Sequence, residues 1–159
     1  MMDQRQYSEL CRSTCLALEI ADTECLTNEG FLLIGDIRIQ MMFDDVFSND
    51  SILCITDIGE IPPYLKEKIF ESLLMLNFLT GGKTTGVYAI DPISQRASFV
   101  VTLINPDSLN ASDLADLLRC YASRSLQLQK TLFTNGELIL PLDSDIEASN
   151  SLNKNFHLV

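Results

Sequence analysis

The sequence contains a single histidine, His157, two residues before the last residue. A nucleophile activated by a histidine base, or a metal centre with histidine ligands, would have to be built on this one side chain. The segment around it is rich in Ser, Asn and Asp, which predicts a frayed end of the chain and not a rigid site. We therefore expect neither kind of histidine chemistry.

A phosphate-binding loop is also missing. The segment Gly82-Lys83-Thr84 resembles the end of the motif GxxxxGK[ST], but Asn77 stands where the first glycine of that motif belongs. Such a loop follows a strand, whereas a helix is predicted directly before Gly82. We interpret these glycines as the end of that helix.

The acidic residues do not form a metal or proton-transfer site either. Ala148 stands where a calcium loop needs its glycine, and Lys154 stands where it needs its last glutamate. Asp57 and Glu60 are predicted to lie in a loop and to share no proton. The residues with the spacing of the first calcium ligands are Asp143, Asp145 and Glu147. We predict no catalytic, cofactor-binding or metal-binding residues, no cofactor, and a chain that is not an enzyme.

Long apolar runs and an export signal are absent. No stretch reaches 18 apolar residues, and no basic segment followed by an apolar run and a cleavage site opens the sequence. We expect a cytoplasmic protein without membrane insertion. The cysteines are odd in number and include no CxxC pair, so we predict reduced, mostly buried thiols. They are Cys11, Cys15, Cys25, Cys54 and Cys120.

Basic residues are scarce. Lys and Arg number 11 against 22 Asp and Glu, which gives a formal net charge of −11. Such a surface repels the phosphate backbone of nucleic acid and anionic lipid, so neither is an expected partner. The same charge favours solubility and could attract a basic partner.

The chain of 159 residues has the length of one domain, and its central feature is a predicted helix from Ile61 to Leu79. Pro62 and Pro63 suit the first turn of a helix, and Gly81 and Gly82 suit its end. The first half of the helix is amphipathic, whereas the second half is apolar nearly all the way round. A helix of that kind must be covered on more than one side. Either it is buried inside a monomer, or one side packs on the chain's own sheet and the other meets a second copy.

Around this helix the sequence predicts the element order α-β-β-β-α-β-β-α. An amphipathic helix over 3–19 precedes three short strands whose links are too short for a parallel crossover, so they form an antiparallel meander. A hairpin and a last helix with Asn110 as its N-cap follow the central helix. The strands are Phe31–Ile34, Ile37–Phe43, Ile52–Ile58, Val87–Ile90 and Ala97–Ile104. The fold class is α+β, a twisted antiparallel sheet packed with helices.

Two of the first three strands have a surplus of apolar residues. The middle strand alternates, but Phe31–Ile34 and Ile52–Ile55 are apolar at consecutive positions and so on both faces of the sheet. The second apolar face needs a cover, which is either a helix of this chain or something else. We divide the chain into a domain over 1–133 and a polar, mobile tail over 134–159.

The order of elements, the size and the acidity resemble the class I type III secretion chaperones of the CesT-like (Tir chaperone) family. The likeness extends over about residues 5–133. Its most specific part is Leu73-Leu74-Met75-Leu76-Asn77, similar to the leucine-rich segment ending in asparagine on that family's central helix. Further parts are Leu16–Leu18, Phe31–Asp36, Ile52–Gly59 with Ile61-Pro62-Pro63, and the hairpin Val87–Leu103.

This resemblance implies a bacterial, virulence-associated homodimer that pairs through the central helix at Ile69, Leu73, Leu76 and Asn77. It implies that the N-terminal segment of a secreted effector wraps around the dimer, with strand addition at a sheet edge as the physical mode. The secretion ATPase is a further candidate partner. Our candidate effector-binding residues, chosen from the apolar pattern, are Leu10, Leu32, Ile34, Met42, Leu53 and Ile55.

Two other hypotheses remain open. A regulatory switch on the same fold would sequester an anti-activator and so couple secretion to transcription. The second hypothesis is an unrelated α+β enzyme whose active site the sequence does not reveal. A small partner that is not exported would favour the switch, and an ordered pocket with two acids of raised pKa would favour the enzyme.

Overall fold

A computed structural model describes residues 2–44, 48–80 and 86–136, with the backbone alone at 44 and 48–50. Four helices and five strands make up these ranges, together with two short 3-10 turns, Pro63–Leu65 and Pro106–Ser108. The helices are α1 (Gln4–Ala17), α2 (Cys25–Asn28), α3 (Lys66–Thr80) and α4 (Ala111–Asn135). The strands are β1 (Phe31–Ile34), β2 (Ile37–Asp44), β3 (Ser48–Glu60), β4 (Gly86–Ile90) and β5 (Arg96–Ile104).

The strands form one antiparallel sheet in the order β1-β2-β3-β5-β4. The predicted α+β class and the predicted order of long elements are confirmed. Helix α2 is an addition, since the predicted order contains no element between the first helix and the first strand. Asp57 and Glu60 were expected to be loop acids, and that prediction is wrong: Asp57 lies on β3 within the predicted strand Ile52–Ile58, and Glu60 lies on β3 because this strand is longer than predicted. A bulge occurs between Asp57 and Gly59.

Side-chain caps explain where the two long amphipathic helices begin. Asp3 accepts a hydrogen bond from the backbone N–H of Gln6, and the Gln6 side chain accepts one from the backbone N–H of Asp3, which completes a capping box for α1. Asn110 accepts from the N–H of Asp113 at 2.8 Å and caps α4 as predicted. Helix α4 continues to Asn135, two residues into the predicted tail, and Gly136 is its C-cap. The rest of the predicted tail, 137–159, lies outside the described residues.

The core lies between one face of the sheet and the helices. Helix α4 packs across β2 and β3, and α1 packs beside α4. At the centre, the Phe99 ring lies 4.9 Å from the Tyr88 ring and 5.6 Å from the Tyr121 ring, centroid to centroid. The sheet residues on this inner face, all buried, are Leu32, Ile37, Ile39, Met41, Ile52, Cys54, Thr56, Ile58, Tyr88, Ala97, Phe99, Val101 and Leu103.

The cysteines are free thiols, and four of the five are buried. The predicted burial is therefore confirmed for all but Cys120, which is half-buried. Burial raises the pKa of Cys54 to about 12 and that of Cys11 to about 11, because a thiolate loses its hydration inside the core. Neither thiol is a ready nucleophile at neutral pH.

These pKa values predict a loss of stability in alkali. An unfolded thiol ionises near pH 8.5, so above about pH 9 the unfolded chain releases protons that the folded chain keeps. The contribution of the Cys54 thiol to the free energy of unfolding is constant below about pH 8.5. Between there and about pH 12 it falls by up to about 1.4 kcal/mol per pH unit. Urea unfolding at pH 7.5, 9 and 10 measures this fall. Cys54→Ala removes one titrating group, so its stability should decline less steeply; an equal slope would contradict the assignment.

Candidate partner-binding surface

The face of the sheet opposite the helices is the first candidate surface. The strand register places Phe31 beside Gln40, Gln40 beside Ile55, Ile55 beside Val100, and Val100 beside Val87. Because side chains alternate along a strand, this row and its i±2 neighbours share one face. We call it the outer face. Its members are Phe31, Leu33, Arg38, Gln40, Met42, Leu53, Ile55, Asp57, Val87, Ala89, Arg96, Ser98, Val100 and Thr102.

No helix of the described residues covers the outer face. Met42 is 50% exposed, and Leu33 and Val87 are each 55% exposed. Leu53, Ile55 and Val100 between them are only half-buried by their neighbours in the sheet. Most inner-face positions of the same strands are buried, and Ile34, Phe43 and Ile90 there pack against the core, so the helices lie on one side of the sheet. Among the described residues, the surplus apolar face predicted from the sequence thus has no internal cover.

Charged groups lie among these apolar side chains. Nε of Arg96 lies 3.1 Å from both carboxylate oxygens of Asp57, and this hydrogen bonding raises the pKa of the Arg96 guanidinium. The Arg38 guanidinium carbon lies 4.0 Å from the centroid of the Phe31 ring, within cation–π range. A depression of about 470 Å³ extends from Arg38 past this ion pair to the turn between β4 and β5. The surface therefore offers apolar contacts with a few fixed polar groups, as binding sites commonly do.

The outer face borders an open sheet edge at β1. The Met41 N–H donates to the Gly30 carbonyl at 3.0 Å. Because bonded and non-bonded pairs alternate in an antiparallel ladder, the backbone groups of Phe31 and Leu33 point away from β2. No hydrogen bond from another described residue reaches them. An extended peptide could therefore pair with β1.

The six predicted effector-binding residues divide between the two faces. Met42, Leu53 and Ile55 lie together on the outer face, with Met42 paired to Leu53 across β2 and β3. Leu10 and Leu32 are buried in the core, and Ile34 packs against it. These three lie on the helix-covered side, so they are not available to a partner in this structure. Leu33, one residue from two of the candidates, belongs to the outer face and was not among them.

The predicted dimer residues on α3 occupy its buried side. Ile69, Leu73 and Leu76 are buried within the chain's own core, which leaves no surface on them for a second copy. Asn77 is half-buried and bonds to β4. The exposed side of α3 is also apolar; Phe78 is 86% exposed, and its neighbours there are Leu74, Met75 and Leu79. We call these four residues the α3 patch.

The comparisons with known proteins show a likeness of fold. The chain is similar to a chain in the crystal structure of the ExsC–ExsE complex, with a TM-score of 0.65 and 13% sequence identity. That likeness covers 84% of this chain and 99% of the other. No protein-family model matches the sequence, and no curated protein matches it.

Two further classes of site have no support in the described ranges. None of the helices found there combines the length and the apolar composition needed to span a membrane. No three side chains of His, Cys, Asp or Glu in those ranges are grouped so that they could hold a metal ion. The two segments discussed above as partial phosphate and calcium motifs, 82–84 and 143–154, lie outside the described residues.

The two sides of α3 should respond differently to a charge. Leu73→Asp places an unpaired carboxylate in the core and should lower the free energy of unfolding by about 3 kcal/mol or more. Phe78→Asp, on the exposed side, should change the free energy of unfolding of the single chain by about 0.5 kcal/mol at most, apart from any stability that pairing of two copies adds at the protein concentration used. Urea unfolding of both variants measures the difference. Equal losses would mean that the α3 patch is part of the core.

Proposed function

We propose that the chain is a type III secretion chaperone that binds the N-terminal segment of one or more effectors. It keeps that segment soluble, extended and competent for export, in the bacterial cytoplasm, and it does so without enzymatic turnover. The observation that carries this proposal is the uncovered apolar outer face, which lies directly beside the open edge of β1.

Two independent likenesses support the proposal. The leucine-rich segment ending at Asn77 and the order of elements resemble the CesT-like chaperones. The likeness to the ExsC–ExsE complex supports a fold of the type III secretion chaperone kind, and that complex joins one protein to another. A chain of this shape is suited to holding a partner protein.

The mode of binding follows from the geometry of β1. A partner segment that pairs with the free backbone groups of Phe31 and Leu33 extends the sheet by one strand. Every second side chain of that segment then faces the same way as Leu33 and Met42, so it can contact the outer face. Backbone hydrogen bonds are independent of sequence, and the apolar contacts select for apolar residues at alternate positions. Holding the segment in this way hides its apolar side chains from other molecules.

The homodimer belongs to the same proposal, with changed contact residues. Since Ile69, Leu73 and Leu76 are buried within the chain, we assign the contact between copies to the α3 patch. Four large apolar side chains exposed on one helix side form the kind of contiguous patch that marks an interface. The secretion ATPase is a further proposed partner, and the high negative charge of the chain could attract a basic one.

The alternative is a regulatory switch that sequesters an anti-activator through the same surface. Native mass spectrometry of the protein isolated from its own bacterium separates the two. Two copies with one larger chain that is itself exported, and whose N-terminal segment is protected from proteolysis, support the chaperone. Two copies with a small protein that is not exported support the switch. A monomer without a partner at micromolar concentration would contradict both.

The dimer assignment predicts the effect of a charge on the α3 patch. Phe78→Asp should reduce the molar mass in light scattering from that of two copies to that of one, because burying an unpaired carboxylate in an interface costs several kcal/mol. Ile93→Asp is a matched control, since Ile93 is 93% exposed but lies on the turn between β4 and β5. A Phe78→Asp protein that remains fully dimeric would disprove the assignment.

The outer face has its own test. Ile55→Glu or Met42→Glu should weaken binding of the partner segment by at least about 100-fold, since each puts a charge where an apolar side chain must lie, while stability and oligomeric state persist. Leu126→Glu is the control, because Leu126 is an exposed apolar residue on α4, on the opposite side of the molecule. Calorimetric titration with a peptide of the partner's N-terminal segment measures the change. Equal binding by the outer-face variants and the control would refute this surface.

A further inference from the structure

The second edge of the sheet, at β4, differs from the open edge at β1. The Tyr88 N–H donates to Oδ1 of Asn77 at 2.7 Å, and Nδ2 of Asn77 donates to the Tyr88 carbonyl at 2.9 Å. These Tyr88 groups point away from β5, at the middle position of a five-residue edge strand. The side-chain amide of Asn77 thus makes the two hydrogen bonds that a neighbouring strand would make with Tyr88.

Asn77 is held in place by the helix that carries it. Leu73 and Leu76 are buried beneath α3 and fix its position beside β4. Asparagine within a helix is less favourable than alanine or leucine, so helix propensity does not explain its presence in the last turn of α3. The pair of hydrogen bonds to β4 accounts for it.

An edge strand with free backbone groups can pair with a strand of another molecule. At β4 this hazard is increased by Val87, which is 55% exposed beside Tyr88. We propose that Asn77 is an edge cap, a side chain that occupies the middle of β4 and prevents a strand of a second copy or of a partner from pairing there. Strand addition is thereby restricted to β1. That last consequence rests on the proposed function, whereas the cap itself does not.

The experiment compares the wild-type protein with Asn77→Ala, which removes both hydrogen bonds without adding apolar surface and without weakening the helix. The first measurement is amide hydrogen exchange at Tyr88, which should be about two- to tenfold faster in the variant, as expected for the loss of one net hydrogen bond. The second is sedimentation velocity, in which the variant should form species larger than any wild-type species at the same concentration.

Two further variants distinguish an edge cap from hydrogen bonds that only stabilise the packing of α3 against β4. Asn110→Ala removes an asparagine whose hydrogen bond contributes a similar amount to stability, at the N-cap of α4 and away from any strand edge. This variant should not self-associate. Adding Val87→Lys to Asn77→Ala puts a charge on the edge, which hinders strand pairing. In this double variant the larger species should disappear while exchange at Tyr88 stays fast.

Unchanged exchange at Tyr88 in Asn77→Ala would overturn the proposal, and so would fast exchange without larger species. If Asn77→Ala does not fold, Asn77→Ser is the substitute, since a hydroxyl is too short to reach both Tyr88 groups; the same two effects are then expected. None of these measurements uses a partner. A failure of the chaperone proposal would therefore leave this result intact.

Discussion

Strand β3 pairs with β2 on one side and with β5 on the other, and this register determines which side chains are available to a partner. Ile52, Cys54 and Thr56 of β3 are completely buried against the helices. A slip of one residue would place them in solvent and Leu53 and Ile55 in the core. Because the core strongly favours the observed register, it also places Leu53 and Ile55 on the outer face.

Single exposed apolar side chains are ordinary on a protein surface, but those of the outer face continue from strand to strand. In a chain with twice as many acids as bases, such a surface does not follow from a general lack of polar residues. Polar residues occur at neighbouring positions of the same face, for example Ser98 and Thr102 around Val100. This continuity of the apolar positions is the observation on which the proposed contact with a partner polypeptide rests.

The fold class and the order of the long elements could be predicted from the sequence, because the turn residues and the N-caps act locally, whereas α2 and the full length of β3 could not. The orientation of several side chains could not. Phe31–Ile34 and Leu73–Leu79 are apolar at nearly every position, so their own sequence contains no alternation that distinguishes one side from the other. Which of their side chains face the core is decided by the pairing of Leu32 with Ile39 and by the packing of α3, and both are tertiary contacts. This is why Leu32, Ile34, Ile69, Leu73 and Leu76 were predicted at interfaces although they lie on the core side, whereas the alternation of strand β2 places Met42 on the exposed face.

The near-uniform apolar character of the second half of α3 has a physical explanation in the three contacts of this helix. One side packs into the core through Ile69, Leu73 and Leu76, the opposite side presents the α3 patch, and Asn77 between them bonds the edge of β4. A protein that accepts a foreign strand must leave one sheet edge open, and an open edge also favours self-association. With one edge occupied by its own helix, the sheet can be extended in one direction only, so pairing of sheets cannot propagate from copy to copy. The proposed binding edge at β1 can then stay open without leading to a growing assembly of copies.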